Sequence, residues 1–109
     1  MLTITGSCRI FLHIEAVDFR KGFEGLSQSV EMKFEEKLTS GAYFVFLNKK
    51  QDRMKVLYYD QDGLAIWYKR LEVGKFSKKT IESQQITRRE FLIILEGITP
   101  KKLQKRWHL

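Results

Sequence analysis

The residues with the most chemical leverage in this chain are cations at a helix start. Thr87 followed three residues later by Glu90 forms a capping box, and Ile86 can pack on Phe91 as a hydrophobic staple. The spacing therefore predicts a helix from Arg88 to Glu96, ending before Gly97, too short to stand alone and docked by Phe91, Leu92, Ile94 and Leu95. Arg88 and Arg89 fall in its first turn, where a cation opposes the positive end of the macrodipole at a cost of about a few tenths of a kcal/mol each. A phosphate bound there would meet free backbone amides and two guanidinium groups, so the local penalty marks these arginines as candidate anion ligands.

Catalytic chemistry finds much less support. The chain has no Gly-rich phosphate loop with its lysine, no Gly-x-Ser-x-Gly elbow and no His-Glu-x-x-His pair. His13 and His108 stand far apart with nothing to orient either one, and Cys8, on an apolar run, reads as a core thiol. Asp60 and Asp62 flank a turn composition and lack the further carboxylates that a two-metal nuclease or a calcium loop requires. One thiol and two scattered histidines do not make a four-ligand zinc site. No enzyme, metal, cofactor or small-molecule substrate is expected.

Charge supplies the next step. Twenty Lys and Arg against thirteen Asp and Glu give +7 and a pI near 9.6. Residues 1–40 carry five basic and six acidic side chains, whereas residues 69–109 carry eleven basic and four acidic. The surplus in the last two-fifths predicts a polyanionic partner, with DNA the usual one. The candidate nucleic-acid contacts are Lys69, Arg70, Lys75, Lys78, Lys79, Arg88, Arg89, Lys101, Lys102, Lys105 and Arg106. Tyr43, Tyr59, Trp67 and Tyr68, near Lys55, Lys69 and Arg70 in sequence, have the composition of a base-stacking platform, although rings on strands more often build the core.

These side chains need elements to hold them. At 109 residues and 13.0 kDa, with 43% hydrophobic residues, the chain is one domain with enough apolar material for a core. Cys8 to Leu12 reads as a first strand. Phe19, Phe23, Leu26, Val30, Phe34 and Leu38 recur at helical spacing, with Gly22 and Gly25 weakening the first turns so that the regular helix begins near Leu26. Tyr43–Leu47, Met54–Tyr59 and Leu64–Leu71, separated by turn compositions, predict a three-stranded antiparallel meander in which Asp62-Gly63 provides the positive-φ positions of a tight hairpin. The expected fold is α+β: a single domain over residues 1–99, an antiparallel sheet of three to four strands packed against two or more helices, and a basic tail over 100–109. No apolar run nears the ~20 residues of a membrane span and no signal-peptide pattern opens the chain, so a reducing, cytoplasmic setting is expected.

The pieces Asp18-Phe19-Arg20-Lys21-Gly22-Phe23-Glu24-Gly25-Leu26, Phe44-Val45-Phe46, Lys55-Val56-Leu57-Tyr58-Tyr59-Asp60 and Trp67-Tyr68-Lys69-Arg70-Leu71-Glu72-x-Gly74-x-Phe76 stand in this order. From about residue 9 to 97 the chain resembles the TnpB (Orf2-like) accessory proteins of insertion-sequence family sixty-six, and its basic end Lys105-Arg106-Trp107-His108-Leu109 is similar to some members. The resemblance implies participation in transposition of a bacterial mobile element beside a separate transposase that does the cutting and joining, with no catalytic residue to carry over. Many members follow the position of Phe76 with an apolar residue and Trp-Pro, whereas this chain has Ser77-Lys78-Lys79-Thr80. The expected function is a non-catalytic transposition accessory factor that holds element DNA or the transposase–DNA complex. The alternative is a protein-binding adaptor for the transposase that never touches DNA.

Overall fold

The computed structural model describes residues 8–78, 81 and 83–96. The elements are β1 (Ile10–Leu12), α1 (Phe23–Lys33), a short 3-10 turn (Leu38–Ser40), β2 (Tyr43–Leu47), β3 (Arg53–Asp60), β4 (Gly63–Arg70), β5 (Gln85–Ile86) and α2 (Arg88–Glu96). They form one five-stranded sheet in the order β4-β3-β2-β1-β5. The α+β class matches the expectation, and β2 to β4 make the expected antiparallel meander.

The sheet itself corrects the sequence reading, because it is mixed and has five strands. β1 runs parallel to β2 and β5 antiparallel to β1. The physical reason for the parallel pair is the crossover: a connection carrying a helix returns the chain to the end it started from, so the next strand runs the same way. β5 has no sequence signal, because two residues within a polar stretch show no period.

Every residue of β2 is buried, since its two faces serve two cores. On one side Phe44, Phe46 and Leu57 pack with Leu26 and Val30 of α1. On the other, Tyr43, Val45, Leu47, Met54 and Val56 pack with Phe91 and Ile94 of α2 and with Phe76. A strand covered on both faces reads as an unbroken apolar run, which is how Tyr-Phe-Val-Phe-Leu appears in the sequence.

α1 begins earlier than expected, at Phe23, and its N-cap Gly22 makes no side-chain cap. Phe34 ends it in an extended conformation, φ −124° and ψ 148°, yet still donates its amide to the Val30 carbonyl at 2.9 Å. Phe19, Phe34 and Leu38 thus contribute to the α1 core from outside the helix, as its flanking segments. The β3–β4 turn differs in a detail: the positive φ is at Gln61 (54°), while Gly63 pairs with Asp60. Asp62 donates its amide to the Asp60 carbonyl at 2.6 Å, a closure over three residues that places the strained position at Gln61.

The capping box forms as the spacing predicts. Glu90 donates its amide to Thr87 Oγ1 at 3.0 Å, and the Thr87 amide donates to Glu90 Oε1 at 2.9 Å. Thr87→Ala is expected to cost about 1 kcal/mol, lowering the midpoint of thermal unfolding by roughly 4–8 °C. Differential scanning calorimetry checks it, and an unchanged midpoint would show that packing of Phe91 and Ile94 alone holds α2.

Candidate nucleic-acid interface

The register fixes which cations meet. β2 and β4 both end at one end of the sheet, where the 48–52 turn, the 13–19 segment and the 71–78 loop gather. Leu71 donates its amide to Asp52 at 2.7 Å, Phe76 to Gln51 at 2.7 Å and Val17 to Leu47 at 3.0 Å. Gln51, with φ 57°, returns a side-chain bond to the Phe76 carbonyl at 2.8 Å, and Gly74 takes φ 84°. Phe76 is thereby driven fully into the α2 core, which explains the Gly74-x-Phe76 spacing as an anchor for the loop.

This end carries Lys69 and Arg70 from β4, Lys75 and Lys78 from the loop, and also Lys49, Lys50 and Arg53, whose local sequence reads only as turn and strand. Lys49, Lys50 and Arg53 line an open cleft with Phe19, Asn48 and Asp52. Lys78 Nζ donates to the Ile14 carbonyl. Arg53 stands directly across the β3–β4 ladder from Arg70, a like-charge pair that costs stability unless a counter-charge arrives. Arg70 answers part of this with Glu72 at 3.0 Å, both exposed, so that pair is worth little to the fold. Asn48 Nδ2 donates to Asp52 at 2.7 Å and thereby lowers the Asp52 pKa, keeping the turn in shape.

Arg88 and Arg89 lie elsewhere. β5 runs antiparallel to β1 and leads into α2 at the other end of the sheet, on the edge opposite β4. Glu90 in the first turn supplies the carboxylate that the dipole favours and offsets the two exposed cations, while Thr87 already occupies its amide. Lys79, Lys101, Lys102, Lys105 and Arg106 lie outside the described residues, as do His108 and the 100–109 tail.

The aromatic side chains do not form one platform. Tyr43 and Tyr58 pack together on the α2 face with Trp67 nearby, whereas Tyr68 lies on the α1 face against Phe19, ring centroids 5.8 Å apart. Between Phe19 and Tyr68 sits Lys55, only 7% exposed, with Nζ 5.1 Å from each ring centroid. Its ammonium donates to the carbonyls of Phe19 and Lys21, both at 2.9 Å. The Asp18-Phe19-Arg20-Lys21-Gly22 motif is therefore a loop whose carbonyls are turned onto a buried cation.

Asp18 braces the same loop. It accepts bonds from the Arg20 guanidinium, the shortest 2.6 Å, and from the Arg20 amide at 2.9 Å, which hold its pKa at about 2 against an ordinary 3.8. A depressed carboxylate adds stability above its unfolded pKa and loses it as pH falls through the folded one. Acid weakening of this loop is thus expected between pH 3.8 and about 2, and a carboxyl-carbon NMR titration of Asp18 should report the lower value. A normal titration would show the Arg20 contact to be absent in solution.

The other chemically suggestive residues have structural surroundings. His13 is buried beside Phe34 and Phe46, and its Nδ1–H donates to the Glu15 carbonyl at 2.8 Å. Cys8 is half-buried against the α2 core, and burial raises its thiol pKa. Asp60 and Asp62 are exposed at the hairpin tip. Among the described residues no group of three or more His, Cys, Asp or Glu could hold a metal ion, and no helix is long and apolar enough to cross a membrane.

The fold and this end define a small two-core α+β protein with a clustered cationic surface. The chain belongs to the IS66 Orf2-like protein family, which matches residues 8–105. It is 29% identical to the uncharacterized protein y4jC of Sinorhizobium fredii (strain NBRC 101917 / NGR234), over 90% of this chain and 86% of that protein. It is also 27% identical to the uncharacterized protein y4hO of the same strain, over 98% of this chain and 95% of that protein. No solved structure matches the chain.

Proposed function

We propose that this protein is a non-catalytic accessory factor for transposition of its insertion sequence, holding element DNA or the transposase–DNA complex by the cationic end of its sheet. Membership in the IS66 Orf2-like family supports the setting. The observation that carries the contact is the gathering of cations at one end of the sheet: Lys49, Lys50 and Arg53 line one open cleft, Arg70 stands across the ladder from Arg53, and Lys69 precedes it on β4. Several cations held on rigid elements neutralise phosphates with little ordering cost, and the like-charge pair Arg53–Arg70 is a local cost that a phosphate relieves.

A salt titration of binding to element-end DNA, with and without the transposase, tests this directly. The expected result is binding by the protein alone whose logarithm falls linearly with log salt. Binding seen only with transposase present, and indifferent to salt, supports the adaptor reading instead. That reading has its own observation, the outer surface of α1, where Phe23 is 49% and Met32 82% exposed.

A further inference from the structure

We propose that β4 is the seam of a homodimer, in which two copies pair antiparallel about Ile66 and join their sheets into one. β4 is an eight-residue edge strand, and among the described residues nothing hydrogen-bonds along its outer side. Leu71 donates its amide inward to Asp52, so by alternation Leu64, Ile66, Tyr68 and Arg70 turn their amides and carbonyls outward. Such an edge is a template for a further strand.

The occupant follows from what the edge carries at each end. Asp62 lies just before β4 and Arg70 closes it, so an antiparallel second copy sets each Arg70 opposite an Asp62. Centred on Ile66, the pairing sets outward-facing strand residues of the α1 face together, Ile66 on Ile66 and Tyr68 on Leu64, and brings Arg70 opposite the exposed turn residue Asp62. On the α2 face Trp67 meets Ala65, a large ring opposite the smallest side chain of the strand with a β-carbon. A shift of two residues one way sets Glu72 against Asp62, which charge disfavours; the other way sets Tyr68 against Asp62, gives up the Ile66–Ile66 contact and carries Arg70 past Asp62 toward Asp60 at the hairpin tip. The second carboxylate also answers the cross-strand Arg53–Arg70 repulsion. A two-fold axis satisfies both ends at once, which a chance strand from another protein does not.

Sedimentation equilibrium on the full chain over a range of concentrations is the test, with twice the 13.0 kDa chain mass expected. Ile66→Pro removes an outward amide without taking one from the β3–β4 ladder and should leave a folded monomer. Arg70→Asp and Asp62→Arg should each weaken the dimer about tenfold, and the double swap should restore it. Opposed Ile66 residues would lie about 5.5 Å apart at Cα, within disulfide reach, so Ile66→Cys in a Cys8→Ser background should cross-link on mild oxidation. A wild-type chain monomeric at every concentration overturns the proposal. So does a dimer untouched by the single charge changes, or one that fails to cross-link through position 66. The readout is mass and cross-linking, so failure here leaves the DNA reading to its own salt titration.

Discussion

Lys49→Ala, Lys50→Ala and Arg53→Gln made together are expected to weaken binding to duplex DNA roughly 100-fold at moderate salt and to flatten the slope of log affinity against log salt by up to about 2.7. The slope follows from about 0.9 per lost phosphate contact, and three cations line the one cleft. Element-end and random DNA should lose affinity alike, because phosphate contacts position a protein without reading sequence. The fold should survive, since all three lie in or beside a surface turn, with the Asn48–Asp52 bond left in place. Fluorescence anisotropy at several salt concentrations reads both quantities. The informative control is Arg88→Ala with Arg89→Ala at the far end of the sheet. If that pair carries the loss while the triple change leaves the slope intact, the interface belongs at the start of α2.

The second large effect is expected inside the fold. Lys55→Met removes a cation that satisfies the Phe19 and Lys21 carbonyls and is flanked by two rings. Replacing a buried charge by a hydrophobe of similar size is neutral in some proteins, because desolvation of the ion disappears. Here two carbonyls that face inward would lose their donor, at about 1–3 kcal/mol each, and the contact with both ring faces would go with it. The balance points to a net loss of roughly 2–4 kcal/mol, or a fall of at least about 10 °C in the thermal midpoint. Hydrogen exchange should show the change concentrated in the 18–26 segment, where Lys21 and Leu26 donate amides to Asp18 and Gly22. Because Phe19 also lines the cationic cleft, the variant should bind DNA more weakly while its salt slope stays near wild type. A variant as stable as wild type would mean that the loop supplies its own order through Asp18 and Arg20.

Local sequence by itself determined the pieces whose causes lie within a few residues. The capping box of Thr87 and Glu90 set the start of α2, an apolar run covered on both faces set β2, and the turn compositions around Asp62-Gly63 and Asn48–Asp52 set the meander. Periodicity also found the face of α1, though not its ends, because Phe19, Phe34 and Leu38 serve the same core from non-helical backbone. Half of the candidate surface was legible as a charge surplus after residue 69, and the tertiary structure decided what that surplus is next to. Lys69, Arg70, Lys75 and Lys78 gather with Lys49, Lys50 and Arg53 only because the meander register returns β4 beside the 48–52 turn, while β5 carries Arg88 and Arg89 to the opposite corner. Lys55 looked like one more strand cation, and its burial depends on carbonyls some 34 and 36 residues away in sequence. The parallel placement of β1 and the pairing of β5 were equally out of reach, since strands of three and two residues gain their stability almost wholly from neighbours. Short-range signals in a chain report hydrogen bonds and periods that close within one or two turns; which edges meet, and which charges end up side by side, is settled by long-range burial, and that information is spread over the whole sequence.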